Sequence, residues 1–454
     1  MNRSNKNITY VFTCALVAAL GGFLFGFDTA VISGTLNDLQ QVFSLGDFSL
    51  GFTVAIALIG TIIGAMSLGK PADIYGRRNM LFLLAILYLV SAIGSALAWN
   101  WTSFLVFRFI GGIGVGGASV ISPMYIAEIS PAKYRGRFVA LTQFNIVLGI
   151  LAAFLSNYII NIVDLSLNNW RIMLGIEAIP AAFFFVFLFY VPRSPRWLIA
   201  NQHFGHAEHV LARLGTHSQD IDQEIQTIVQ SIDPVHHSIS ERFFQRRYAF
   251  PISLAIAIAM FNQLSGINAI LYYAPYIFKL AGAGDDTALL QSVAIGAVNL
   301  IVTMAAMLVI DLIGRRKLML IGSAGYIISL AVITWAFFYY GMHFTDTGDT
   351  ILLVALFLFI ASHAFGQGAV IWVFISEIFP NRIRARGQSL GSFTHWFMAA
   401  LISWTFPIIA QASGGYAFAF YAFMMVLQLF WVIFIMPETK GIPLEKIQKK
   451  LGIE

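Results

Sequence analysis

A single cysteine, Cys14, stands in 454 residues, so no disulfide can form within the chain and no cysteine metal cluster can be built. Charge is scarce as well. Asp, Glu, Lys and Arg make up 11% of the residues, where soluble domains carry about 25%. Apolar residues reach 58%, above the soluble range of roughly 45–50%. That balance excludes a soluble multidomain protein. No nucleophile–base constellation occurs on any loop, which speaks against an enzyme. The histidines crowded between 203 and 237 show no ligand spacing. No metal and no cofactor are therefore expected.

What is present is length of apolar chain. A bilayer core about 30 Å thick needs roughly 20 apolar residues per helical span. Twelve such runs occur, at about 9–34, 50–69, 79–98, 102–127, 137–160, 170–191, 250–279, 288–310, 317–341, 350–376, 388–411 and 415–436. The first could be mistaken for a signal peptide, but eleven more follow, so it reads as an uncleaved helix.

Half of the loops are nearly bare of Lys and Arg, carrying instead Asp38, Asp47, Asp164, Asp285, Asp286, Asp346 and Asp349. The others hold Lys70, Arg77 and Arg78, then Arg135 and Arg137, then Arg315, Arg316 and Lys317, then Arg384 and Arg386. Of the 27 Lys and Arg, only Arg171 and Lys279 fall near the Asp-bearing side and Arg108 lies within a span, so the positive charge of this basic chain is concentrated on one side. That distribution argues against a nucleic-acid partner and predicts both termini in the cytoplasm.

The segment 193–248 is the one long polar stretch, and it divides six spans from six. Two patterns recur across it. "GKPADIYGRR" (69–78) matches "MLVIDLIGRR" (307–316) at its acid and at Gly-Arg-Arg, and "AEISPAKYR" (127–135) matches "SEIFPNRIR" (376–384). Asp73 and Asp311 are 238 residues apart; Glu128 and Glu377, like Arg135 and Arg384, are 249 apart. A duplicated six-span unit explains these spacings, and two such halves with a midplane site between them is a transporter architecture. The expected organisation is an all-α membrane protein. A first half spans 1–192, a helical linker 193–248, a second half 249–436 and a cytoplasmic tail 437–454. The repeated charges, Asp73, Arg77, Glu128 and Arg135 with Asp311, Arg315, Glu377 and Arg384, read as a cytoplasmic gate. Their ion pairs would hold the halves together when the outside is open and break when the inside opens.

"GGFLFGFDTAVISG" (21–34), "RFIGGIGVGGASVISPMYIAE", "SPRWL", "NQLSGINAILYYAP", "IDLIGRR", "SEIFP" and "PETKG" follow one another along the chain. In this order they resemble the sugar porter family of the major facilitator superfamily, above all its bacterial proton-linked symporters and next its facilitative glucose transporters. One departure is Arg193, where many members have Glu.

A carboxylate at membrane depth is costly and marks function by default. Asp28 lies about 19 residues along an outward-running span, and Arg108 about six along an inward-running one. At 1.5 Å per residue both reach the same outer third, so they are expected to pair. The resemblance implies the same pair as the proton-coupling site. Glu177, about seven residues into span six, is a plausible partner in proton handling by its match to the symporters. The plainer alternatives are a static pair locking two helices, and an acid hydrogen-bonded between helices.

Sugars are neutral polyols, whose site needs amides and hydroxyls for hydrogen bonds and aromatic faces for C–H surface. Span seven offers Asn262, Gln263 and Asn268. Gln263 and Asn268 are five residues apart, about 140° around a helix, and a break near Ser265-Gly266 would let them converge. Gln143, Asn299, Trp372 and Trp396 complete a midplane set and match the family's sugar-contacting positions. Phe25, Tyr272, Tyr273 and Gly368 match lining positions. Asn262 stands where the family usually has Gln, and His395 where it has Gln or Asn. "GIGVGG" (112–117) fits a nucleotide-binding pattern, but it lies inside a lipid-length helix and suits close helix packing instead.

The resemblance implies a proton-coupled monosaccharide symporter acting as a single chain in the inner membrane, with sugar, proton and lipid as its partners. A facilitative uniporter, which would lack the acid at Asp28, and a non-transporting sugar receptor are the alternatives.

Overall fold

The computed structural model describes residues 3–131, 134–164, 168–215, 220–237, 242–341, 344–380, 383–441, 447, 451 and 453; most of the expected tail lies outside them. Among the described residues every regular element is helical. Twelve helices or broken helices are long and apolar enough to span a bilayer. In chain order, spans one to six are Ile8–Gly34, Asp47–Ser67, Arg77–Ala96, Trp101–Ile129, Arg135–Val163 and Asn169–Tyr190. Spans seven to twelve are Arg246–Leu280, Asp285–Ile313, Arg315–Tyr340, Asp346–Ile378, Arg384–Ala412 and Gly414–Phe434.

The helices run past the apolar runs at their ends. Spans two, eight and ten begin on Asp47, Asp285 and Asp346, residues that hydropathy alone assigns to loops. An acid in the first turn is favoured by the helix dipole, and the Thr345 hydroxyl accepts from Gly348 N–H at 3.2 Å as a cap.

Three spans are broken, each for a local reason. Pro180 in span six has no N–H to offer the Ile176 carbonyl, and the helix turns open at Ile176–Glu177. Span seven stops at Leu264 and restarts at Ile267, with Gly266 at φ +87°, a conformation open to glycine. Span ten parts at Gly366, between Asp346–Phe365 and Gln367–Ile378.

The packing divides by face. Spans two and eleven, and five and eight, meet across the halves. On the face away from the termini, one apolar core takes Phe27, Leu50, Phe104 and Trp170 from the first half and Tyr273, Phe337, Phe406 and Phe418 from the second. On the terminal face there are two separate cores. One joins Val11, Tyr125 and Phe184 with linker residues Leu198, Ala207 and Leu214. The other joins Leu254, Leu318, Ile378 and Val432 with Ile447, Leu451 and Ile453 of the tail. The halves therefore touch on the far face and part on the terminal face. Polar contacts agree. Asn161 donates to Asp286 at 2.7 Å and Trp404 Nε1 to the Phe48 carbonyl at 3.2 Å, both across the halves on the far face.

The linker forms the amphipathic helices Phe204–Leu214 and Ile221–His237 after the short Pro195–Ala200. Among the described residues their apolar side chains join the core of the first half, where Arg213 lies over the Tyr10 ring at 4.8 Å.

Candidate functional site

Asp28 and Arg108 meet. Arg108 Nη1 donates to Asp28 Oδ1 at 2.6 Å and Nη2 to Oδ2 at 3.3 Å, with both side chains almost wholly buried. Close helix packing sets this geometry on either side of the pair. A Cβ on Gly26 would sit 1.9 Å from the Ile146 carbonyl oxygen, and one on Gly112 would sit 1.9 Å from that of Ala57. The glycines thus let span one press on five and span four on two, which is the use expected for "GIGVGG".

Glu177 sits at the break in span six, buried, with Oε1 lacking any hydrogen-bond partner among the described residues. It interacts electrostatically with both Asp28 and Arg108. Arg108 is thus paired with Asp28, and a second buried carboxylate lies near enough to feel both charges. Tyr272 of span seven, expected to line a sugar pocket, is buried against this cluster, within reach of Asp28, Arg108 and Thr29.

The amides of span seven converge across its break. Asn268 donates to Gln263 Oε1 at 2.9 Å, and Gln263 Nε2 donates to Asn262 Oδ1 at 2.8 Å. The same Nε2 lies 3.2 and 3.3 Å from the two ring nitrogens of His395. His395 packs on Trp372 and Trp396, with ring centroids 5.1 and 4.7 Å away. Trp396 in turn meets Phe25 at 5.5 Å across the halves. Polar hydrogen-bonding groups and aromatic faces therefore adjoin, as a polyol would require. Other expected members stand apart. Asn299 accepts from Thr303 of its own helix at 3.3 Å, and Gln143 is half-buried in span five without a hydrogen bond to another described residue. Tyr273 spends its hydroxyl on the Ser403 carbonyl at 2.8 Å, which makes it a packing residue here. Gly368 lies against His363, which bonds to the Tyr326 hydroxyl.

The repeated charges form one cluster per half. Arg77 pairs with Asp73 at 2.8 Å and Glu128 at 3.0 Å; Arg315 pairs with Asp311 at 2.9 Å and Glu377 at 2.8 Å. The gate reading expects contacts between the halves, but every ion pair among the described residues lies within one half. On this face the described residues of the two halves bury separate apolar cores, and each arginine takes acids of its own half. Arg135 is exposed, and Arg384 donates to the Phe379 carbonyl at 3.3 Å while its Nη2 is buried without a partner among the described residues.

Sequence reasoning missed the residues that complete these clusters. Ser194 donates to Glu128, and Thr439 donates to Glu377 at 2.6 Å. They are 245 residues apart, so a third repeat, "PRS" with "PET", carried the signal.

The chain matches the family described as sugar (and other) transporter over residues 14–451. It is 36% identical to the D-xylose-proton symporter of Escherichia coli (strain K12), over 97% of this chain and 96% of that one. It is 36% identical to the glucose transport protein of Synechocystis, covering 98% of each. The partially occluded inward-open structure of the xylose transporter XylE from E. coli superposes with a TM-score of 0.85 at 35% identity, covering 96% of this chain and all of that one.

Proposed function

The chain belongs to the sugar transporter family, and we propose that it carries a monosaccharide together with a proton across the cytoplasmic membrane by alternating access. No covalent bond is made or broken, so the chain acts as a transporter and not as an enzyme. One observation carries the proton coupling: the buried Asp28–Arg108 pair at 2.6 Å, with Glu177 beside it. Two carboxylates and one guanidinium are neutral with one proton on board and negative without it. Burying net charge in a low-dielectric site costs several kcal/mol. Loading and losing the proton therefore changes the stability of the first half's core. A proton on Asp28 frees Arg108 to turn to Glu177, whose Oε1 is unpaired.

The sugar site is read as Gln263, Asn268 and His395 with Trp372, Trp396 and Phe25, joined by Asn262, Gln143, Asn299 and Gly368 as the halves close. Tyr272 links it to the proton site, since it shares span seven with the amides and is buried where it feels the charge of Asp28. The basic loops place the terminal face in the cytoplasm. The far face is then extracellular and sealed, and the arrangement is inward-open. That reading is supported by the likeness to an inward-open transporter. Closure of the terminal face brings Arg135 and Arg384 toward the acid clusters of the opposite halves. Both halves of the site come from one chain, so the working unit is the monomer.

Proteoliposome uptake with and without an imposed pH gradient tests the proposal. Accumulation of labelled xylose or glucose against its gradient, driven by the pH difference, is expected. Equilibration alone would make the protein a uniporter, and absence of any sugar flux would remove the sugar assignment.

A further inference from the structure

Buried hydroxyls on these helices mostly bond to their own backbone. Thr29, Thr61, Ser292 and Ser323 each donate to the carbonyl four residues back, at 2.7–2.9 Å, as serine and threonine inside helices commonly do. Ser91 of span three does not. It is 1% exposed, and its Oγ has no hydrogen-bond partner among the described residues. A buried hydroxyl left unpaired costs stability, so its surroundings should explain it.

Those surroundings are the proton site. A Cβ on Gly111 of span four would sit 2.3 Å from Ser91 Oγ and 3.6 Å from Asp28 Oδ1, so both oxygens border the space that this glycine leaves open. Tyr88, one turn inward on span three, is buried where it feels the charges of Asp28 and Glu177. The duplication supplies a comparison. Ser329 stands 238 residues after Ser91, the offset that also relates Asp73 to Asp311 and Tyr88 to Tyr326; Ile360 stands 249 after Gly111, as Glu377 does after Glu128. Ser329 is buried too, but it donates to the Tyr326 carbonyl at 3.1 Å, and Ile360 is buried where the first half has glycine. Spans seven, nine and twelve, the counterparts of one, three and six, carry no carboxylate. The half without an acid ties its serine to its own helix and fills the space with a side chain. The half with the acid leaves both the hydroxyl and the space beside Asp28.

We propose that Ser91 belongs to the proton site, as the hydrogen-bond acceptor of the protonated Asp28 carboxyl, an assignment that rests on reading Asp28 as the proton carrier. With the proton off, Arg108 satisfies Asp28 at 2.6 and 3.3 Å. When a proton binds an Asp28 oxygen and Arg108 turns to Glu177, the new O–H lies in a buried site and needs an acceptor. The titratable groups facing Asp28 are Arg108 from span four, Glu177 from span six, Tyr88 from span three and Tyr272 from span seven. Arg108 only donates, and Glu177 is taken up by Arg108. The Tyr88 hydroxyl donates to the Gly21 carbonyl at 3.5 Å, and Tyr272 is held by Thr29. Ser91 Oγ has both lone pairs free, and its own hydrogen is left for the Leu87 carbonyl one turn back, the bond other helical serines make. An acceptor for the protonated form raises the affinity of Asp28 for the proton.

The test follows uptake of labelled xylose and glucose by proteoliposomes of the full chain across external pH. Ser91→Ala should move half-maximal activation to lower pH by about one unit, since an ordinary hydrogen bond corresponds to roughly tenfold in proton affinity. Its thermal midpoint should not fall, because the hydroxyl removed makes no bond in the structure described. Gly111→Ala, which pushes the same hydroxyl aside without removing it, should shift the profile in the same direction and carries the test by a second route. Ser95, one turn farther out on span three, is also buried with an unpaired hydroxyl, and Ser95→Ala should leave the profile in place. A pH-dependent wild type whose profile Ser91→Ala leaves unmoved, or Ser95→Ala moves equally, overturns the role of Ser91 alone. A wild type whose uptake ignores pH overturns the symport reading and this role with it.

Discussion

Asp28→Asn keeps the shape of the proton site and removes its charge. In the native structure Arg108 gives Asp28 a two-pronged contact at 2.6 and 3.3 Å in a site closed to solvent. Stripping one partner from a buried pair costs about 3–5 kcal/mol when nothing replaces it. Here Glu177 is adjacent with an unpaired oxygen, so most of that cost should be recovered by a shift of Arg108. The variant should therefore fold and bind sugar. It has nonetheless lost the group whose protonation is linked to the cycle. One pH unit supplies about 1.4 kcal/mol per proton, enough for roughly tenfold accumulation at one proton per sugar. In proteoliposomes the wild type should approach that ratio, while Asp28→Asn should stay near unity and retain sugar exchange at equal pH. Adding Glu177→Gln leaves Arg108 buried without a carboxylate, and the double variant should lose the full few kcal/mol, seen as a drop in thermal midpoint well beyond either single change. Gradient-driven accumulation by Asp28→Asn at the wild-type ratio would refute the coupling argument, and a double variant as stable as the singles would refute the charge argument.

Gln263→Ala removes the amide that joins Asn262, Asn268 and His395; leaving buried partners unsatisfied costs about 1–3 kcal/mol, so sugar affinity in competition uptake should fall tenfold or more. Asn262→Gln, which restores the longer amide, should change the order of preference across a monosaccharide panel more than the overall affinity. Gly112→Val would drive a side chain into the Ala57 carbonyl and should abolish a folded monodisperse protein on size-exclusion chromatography. Glu377→Gln breaks the contacts to Arg315 and Thr439, and should slow turnover and shift cysteine accessibility toward the terminal face while leaving sugar binding within a few-fold of wild type.

The spans were legible because hydropathy acts along the chain: each apolar run must satisfy its backbone within itself, whatever surrounds it. The duplication was legible in fixed offsets, and depth alone paired Asp28 with Arg108, because two helices of known direction bring equal rises to equal depth. The break that lets Gln263 and Asn268 meet was written locally in Ser265-Gly266. The other two breaks were harder to read, since Pro180 and Gly366 sit in otherwise uninterrupted apolar runs. Tertiary structure alone decided which acid each repeated arginine takes. Sequence offers Arg77 and Arg315 several carboxylates at similar spacing, and the choice depends on which face of the molecule is closed. With the terminal face open, each arginine turns to the acids of its own half. Glu438 likewise reads as one more tail charge until the fold lays it across the start of span nine, more than a hundred residues earlier in the chain. Such contacts join segments whose separation encodes nothing local, so only the packed helices reveal which helix start the tail carboxylate caps.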